Sequence, residues 1–342
     1  MTISDDECHK HIHLANESVL RWQGKLLLEM SFYVETMYHG WRLDHFIGAR
    51  LRRLSRTRIQ TMLRRQPSLG GELYKAARRV QAGESYALRR LAPDEGDIPL
   101  HFDVEYEDDY LLIICKPAGL PVHETARFRT KTLRGLLAKQ SSHWRMAHRL
   151  DRETSGLIIV CKDLATERSI KQLFVNRLVK KQYLAIVRGQ VTTPLSLKQP
   201  IGPDLDSDIN LKQRVYSLNE VKLDDTVALS ATTYIEPLAV KNNYSLVSVK
   251  PASGRQHQIR VHLSYAGFPI VGDKLYGDDP TLLLKYIHGG MTDSLRQVLL
   301  MDRHALHAAA LCFRHPVTDE VISIHSDIPA DMKQFFFSES IT

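Results

Sequence analysis

Between residues 41 and 66 the apolar positions Leu43, Phe46, Ile47, Ile59, Met62 and Leu63 recur at steps of three and four, the period of helices with one buried face. A break at Leu54-Ser55 divides this pattern into two short amphipathic helices, and Ser55 is of the right type to cap the second. The stretch Val80-Gln81-Ala82-Gly83-Glu84 followed by Tyr86-Ala87-Leu88 predicts short strands around a glycine turn. Residues 92–100, polar with two prolines and a glycine, have the composition of a linker. Beyond it, the apolar runs Leu111 to Cys115, Leu157 to Val160 and Tyr183 to Val187 alternate with helical stretches from Lys131 to Lys139 and from Leu164 to Leu178, an α+β pattern. No repeat of 20 to 50 residues is present, and no apolar run approaches the ~18 to 20 residues that span a bilayer.

Charge changes this picture more than composition does. With 342 residues, 43% hydrophobic and 25% charged, the chain has the make-up of a folded protein of about two domains. Its net charge of +7 is unevenly held: residues 41 to 90 carry 13 Lys and Arg against 3 Asp and Glu, a net of +10, and the remainder nets −3. One basic segment on a nearly neutral chain is the electrostatic footprint of a polyanion-binding module, most often one for nucleic acid. With the apolar positions turned inward, Arg52, Arg53, Arg56, Arg58, Arg64 and Arg65 are left to the surface and the helix ends, where guanidinium groups can grip phosphates. The expected organisation is an extension over 1–31, the basic module over 32–95 and a larger domain over 96–342.

The start of the chain lacks the basic and apolar regions of a signal peptide, and a cytoplasmic protein is expected. Cys8, Cys115, Cys161 and Cys312 are widely spaced, which predicts reduced thiols and no disulfide framework. Cys8, His9, His11 and His13 have ligand chemistry but poor site spacing, so a solvated, mobile terminus is expected there and no metal site.

The chain has no GxGxxG, P-loop, HExxH or GxSxG pattern. The tripeptide Arg-Leu-Asp occurs at 42–44 and at 149–151 in different contexts. Asp44 precedes a helical period and reads as a helix-start acid near the positive end of the dipole. Asp151 precedes Arg-Glu-Thr-Ser-Gly and then the apolar Leu157-Ile158-Ile159-Val160, so it stands on a turn leading into a buried strand. Among arginines such a carboxylate is held ionised and can act as nucleophile or base; a turn aspartate capping its own loop is the plainer alternative.

Four blocks, in order, carry a family resemblance. Lys116-Pro117-Ala118-Gly119-Leu120-Pro121-Val122-His123, the string from His148 to Val160, Lys180-Lys181-Gln182-Tyr183-Leu184-Ala185-Ile186-Val187, and Pro251 to Leu263 continuing to Asp273 resemble the motifs of the RluA-type pseudouridine synthases. The basic segment, with Trp41-Arg42-Leu43-Asp44-His45-Phe46-Ile47 and Leu54-Ser55-Arg56-Thr57-Arg58-Ile59-Gln60, is similar to the alpha-L RNA-binding fold. The resemblance implies an α+β pseudouridine synthase catalytic fold with a mixed, largely antiparallel β-sheet flanked by helices, preceded by a small α/β alpha-L domain. It implies Asp151 as the catalytic aspartate, Arg260 as its ion-pair partner, Tyr183 against the target uracil, and Arg149 in the space vacated by a flipped nucleotide. His148, Leu150, Ile259 and Leu263 would support the site, the last two as packing that fixes Arg260. The isomerisation needs neither redox nor an energy source, so no cofactor is expected. The implied partner is RNA, ribosomal RNA of the large subunit or its assembly precursor before tRNA, bound by a monomer with no membrane association.

Two rival readings stand beside this one. A non-catalytic RNA-binding assembly factor would keep the site as a grip, which the joint presence of Asp151, Tyr183 and Arg260 opposes. A glycosidic-bond hydrolase would want a second acid, for which Glu153 is the candidate near Asp151. The acidic segment over 203–225 departs from the family pattern.

Overall fold

The computed structural model describes residues 16–338 apart from 23–24, 52–53, 67–73, 92–93, 126, 218–219 and 221–227. Cys8, His9, His11 and His13, and also Arg52 and Arg53, lie outside the described residues. The chain divides into two units, Met1–Glu95 and Gly96–Thr342.

In the first unit β1 (Asn16–Trp22), β2 (Lys25–Tyr33) and β3 (Ser85–Leu91) form an antiparallel sheet in that order. Helices α1 (Leu43–Arg50) and α2 (Arg56–Arg65) join it, and the Ser55 hydroxyl accepts the backbone N–H of Arg58 as the N-cap of α2. Leu43, Phe46, Ile47, Ile59 and Leu63 are buried together with Phe32, Val34, Val80, Tyr86 and Leu88, and Met62 packs at their edge. The helical period thus marked the core face. The expected boundary at 31/32 falls inside β2, because β3 draws its backbone partners from Leu27 to Tyr33. Of the strands expected around Gly83 only the second forms; on the other side Arg79 makes a single bridge to Arg42.

Among the described residues the second unit holds a ten-stranded sheet. Its strands are β4 (Asp103–Glu107), β5 (Leu111–Lys116), β6 (Arg145–Met146), β7 (Ser155–Cys161), β8 (Lys180–Arg188), β9 (Leu195–Leu197), β12 (Thr233–Lys241), β13 (Tyr244–Pro251), β14 (Leu306–Arg314) and β15 (Val321–His325), while β10 (Ile201–Pro203) and β11 (Gln213–Val215) form a separate hairpin. The order is β4-β5-β7-β14-β8-β13-β12-β9, with β6 on β7 and β15 on β14. Among the described residues only β7 and β14 run parallel, so the sheet is mixed and largely antiparallel. Around it stand α3 (Leu133–Gln140), α4 (Leu164–Val175), α5 (Gln258–Tyr265), α6 (Leu282–Gly289), α7 (Asp293–Leu299) and α8 (Ala330–Phe337).

The sheet is two halves that meet narrowly. Between β7 and β14 only Ser155 faces His307 and Gly156 faces Ala308. Gly156 has φ +111°, and a Cβ there would stand 2.3 Å from the Ala308 carbonyl oxygen, so the close approach requires glycine. Ala308 is in turn the register partner of Tyr183 on β8. The turn before β7 and the tyrosine of β8 are thereby brought to one seam, each half backed by its own apolar cluster.

Candidate active site

Asp151 opens a tight turn in which its carbonyl accepts the backbone N–H of Thr154, immediately before β7. The turn is pinned from below. Lys116, fully buried at the end of β5, donates to the carbonyls of Pro117, Leu120 and Arg152, and Gly119 N–H also reaches the Arg152 carbonyl. Burial, reinforced by Arg303, pulls the Lys116 ammonium down to about 7. On the other flank His148 Nε2 accepts the backbone N–H of Ile159 from within β7, and its ring tilts against Phe174. Burial, with Lys181 nearby, lowers His148 to about 3, so it is a neutral structural imidazole. Leu150 is buried in the apolar cluster between the turn and β5.

The carboxylate itself is only 24% exposed. Arg260 on α5 donates from Nη1 to Asp151 Oδ2 at 2.9 Å, and grips Asp273 through Nε at 2.7 Å and Nη2 at 2.9 Å. Asp273, fully buried, also accepts the backbone N–H groups of Leu275 and Tyr276. Arg260 is thus a bridge between a fully buried carboxylate and one that borders a cleft. Ile259 and Leu263 are buried in the core on the same helix. Burial raises the Asp151 carboxyl, but Arg260, with His257 and His304 adding to it, holds the group below its ordinary value.

Oδ1 of Asp151 has His257 Nε2 at 3.9 Å. His257 precedes α5 in the left-handed region at φ 55°, and its Nδ1 lies 2.8 Å from the Tyr276 hydroxyl, which accepts the backbone N–H of Gln213. Burial lowers His257 to about 4, leaving it neutral near pH 7. Tyr183 joins Asp151, Arg149, Lys181 and Arg260 in lining a cleft of about 100 Å³, and burial followed by the nearby Asp151 pushes its hydroxyl well above the ordinary value. A second cleft of about 310 Å³ shares Arg149, Asp151, His257 and Arg260 and extends to His123, Ile209 and Leu211. Arg149 is exposed, in a loop, at the border of both.

The residues expected from sequence in the second unit therefore converge: Asp151, Tyr183, Arg260 and Arg149 share one cleft, which Leu150 and Ile259 also line, and His148 and Leu263 lie outside its lining. Arg56, Arg58, Arg64 and Arg65 are exposed on α2, and Arg56 also donates to Asp44. Glu153 corrects the idea of a second acid. Lys274 donates to both its oxygens, at 3.0 and 2.9 Å, and Arg152 to one, so it is locked in an ion network and not free to act. Asp273, His257, Lys116, Lys274 and His304 were not singled out. For Asp273 a signal existed, since an acid ending the run Pro269-Ile270-Val271-Gly272 must be buried and paired.

A family model described as RNA pseudouridylate synthase matches residues 110–265. Among curated relatives, the ribosomal large subunit pseudouridine synthase D of Zymomonas mobilis is 30% identical over 318 residues, covering 87% of this chain and 93% of its own length. The ribosomal large subunit pseudouridine synthase C of Escherichia coli is 30% identical over 312 residues, covering 86% and 92%. An uncharacterised RNA pseudouridine synthase, YlyB of Bacillus subtilis, is also 30% identical, over 308 residues and 86% and 92% of the two chains. The solved structure of human RNA pseudouridylate synthase domain containing 4 superposes with a TM-score of 0.52 at 27% identity, covering 69% of this chain and 92% of that one.

Proposed function

Because this chain belongs to the RNA pseudouridylate synthase family, and so isomerises uridine to pseudouridine in RNA, we propose that Asp151 is its catalytic group and large-subunit ribosomal RNA its substrate. The observation that carries the assignment is that one oxygen of Asp151 is held by Arg260 while the carboxylate faces a cleft walled by Tyr183. The reaction breaks an N-glycosidic bond, turns the base and rejoins it through carbon. A carboxylate kept ionised beside a fixed guanidinium can attack or take a proton without first losing one of its own. Tyr183 closes the cleft against the uracil face, and Arg149, at its open border, fills the gap that the flipped nucleotide leaves. The exposed Arg56, Arg58, Arg64 and Arg65 of α2 supply phosphate contacts that offset the cost of unstacking. The names of the relatives favour ribosomal RNA of the large subunit over tRNA, and that substrate would place the enzyme in the cytoplasm.

The test is a transcriptome-wide pseudouridine map of strains lacking the gene and complemented with the wild-type chain or with Asp151→Asn. Sites in large-subunit RNA should vanish, return with the wild type and stay absent with the variant. Loss confined to tRNA would overturn the substrate, and restoration by Asp151→Asn would overturn the residue.

A further inference from the structure

Lys181 is an unexplained cation of the catalytic cleft. It lies two residues before Tyr183 on β8, so the period of the strand puts both side chains on one face, and both line the same cavity. Strand β13 accompanies β8 only as far as Val249 opposite Tyr183; beyond it the chain bends into 252–254, and Lys181 Nζ donates to the Ser253 carbonyl at 2.9 Å. Its ammonium also stands 5.9 Å from the Phe174 ring centre. A Cβ placed on Gly254 would be 3.7 Å from Nζ, so the bare glycine leaves that side of the ammonium uncovered.

The charge around the cleft is unbalanced. Arg149, Lys181, Arg255 and Arg260 line it, and Asp151 is the one acid among its lining residues. Arg260 is already shared between Asp151 and Asp273. Elsewhere in this unit Lys274 is paired with Glu153 and Arg303 with Asp331, while the fully buried Lys116 spends its three N–H groups on three backbone carbonyls. Among the described residues neither Arg149, Lys181 nor Arg255 has a carboxylate partner. Of these three, Lys181 sits on a strand of the central sheet and the two arginines in loops, and a mounting on a strand suits a fixed contact. A half-buried ammonium that has lost much of its water, with one of three N–H groups given to a carbonyl, lacks an anion. The only anion that RNA brings is its phosphodiester.

We propose that Lys181 is the phosphate anchor of the cleft: its ammonium takes the backbone phosphate beside the target uridine and sets how deeply the nucleotide enters against Asp151. This rests on the reading of the site given above. Lys181 is a substrate-positioning residue and exchanges no proton with the reacting base. Burial holds its ammonium at about 8, so it is mostly charged at neutral pH.

The experiment compares the full-length wild type, Lys181→Met and Lys181→Arg on total RNA purified from a strain lacking the gene, with pseudouridine formation followed over time. Lys181→Met should raise KM about 10- to 100-fold, the loss of one charge-assisted contact, with kcat within about threefold and an unchanged pH profile of kcat. The salt dependence of kcat/KM should flatten by about 0.7 to 0.9 in log–log slope, one phosphate contact. Lys181→Arg should recover most of the KM. A Lys181→Met enzyme with wild-type KM and salt slope overturns the anchor, as does a loss confined to kcat with a shifted pH profile, which would make Lys181 a proton-transfer group. Wild-type enzyme that forms no pseudouridine in this RNA would break the underlying reading instead, so the two failures are distinguishable.

Discussion

The two Arg-Leu-Asp tripeptides end in carboxylates of opposite fate. Asp44, in the first turn of α1, is wholly buried and saturated: Arg42 donates twice, at 3.0 and 3.1 Å, Arg56 at 3.1 Å and Gln60 at 2.6 Å. Asp151 receives one short bond, from Arg260, and turns the rest of its carboxylate toward a cleft. Burial pushes both up and cationic donors pull both below the ordinary range, far below for Asp44, where hydrogen bonds from Arg42, Gln60 and Arg56 add together. Ionisation therefore does not separate the carboxylate proposed to react from a structural one. Unused hydrogen-bonding capacity facing open space does. The reading of Asp44 as a helix-start acid was incomplete for the same reason: its position in the first turn of α1 is right, but its main partners are side chains from α2 and the residue before α1.

The contrast breaks first on rate. Asp151→Asn should lower pseudouridine formation by more than about 1,000-fold while RNA affinity in a filter-binding assay stays near that of the wild type. Asp44→Asn should leave kcat nearly unchanged, and a similar loss of kcat in both variants would erase the distinction. Next comes the bridge behind the site. Asp273→Ala leaves Arg260 buried with one partner in place of two and should destabilise the second unit by about 3–5 kcal/mol, read as a lower denaturant midpoint; a stable variant with normal turnover would mean that Arg260 does not need its anchor.

A smaller effect is expected from Asp44→Ala, about 1–3 kcal/mol from lost charge-assisted hydrogen bonds. It should be confined to melting of the basic unit and to the salt dependence of RNA binding, through displacement of Arg56. Acid sensitivity near neutrality is a separate test, read on the wild-type chain. His148, His304 and His257 are held by burial at about 3, 3 and 4, below the 6.5 of a free imidazole. The unfolded chain takes up these protons first, so the stability contributed by the neutral rings is complete above pH 6.5 and is lost as pH falls toward 4. Urea midpoints of the second unit should decline steadily from pH 7 to pH 5; a flat profile would place these imidazoles in contact with water.

How much was legible followed from the range of the interactions. The helical period of Leu43, Phe46, Ile47, Ile59 and Leu63 and the cap at Ser55 depend on neighbours a few residues away, and they appear as read. So does the strand after Asp151, whose run of apolar residues needs burial on both faces. The boundary at 31/32 failed because strand pairing is not local: β2 is held by β3, more than fifty residues on. Glu153 looked like an available acid for the same reason, since Lys274 lies 121 residues away.

By itself the sequence determined the element types, the concentration of positive charge in one segment and the identities of the groups that can react, all properties of composition and short-range periodicity. Only the tertiary structure decided which of those groups are free to react. It placed β7 against β14 through a glycine that alone permits the approach, set Tyr183 one register partner away from that seam, and delivered Arg260 from a helix 109 residues distant to the Asp151 carboxylate. The physical reason is that reactivity depends on which lone pairs and N–H groups remain unpaired once the chain has packed, and that balance is struck between residues remote in sequence.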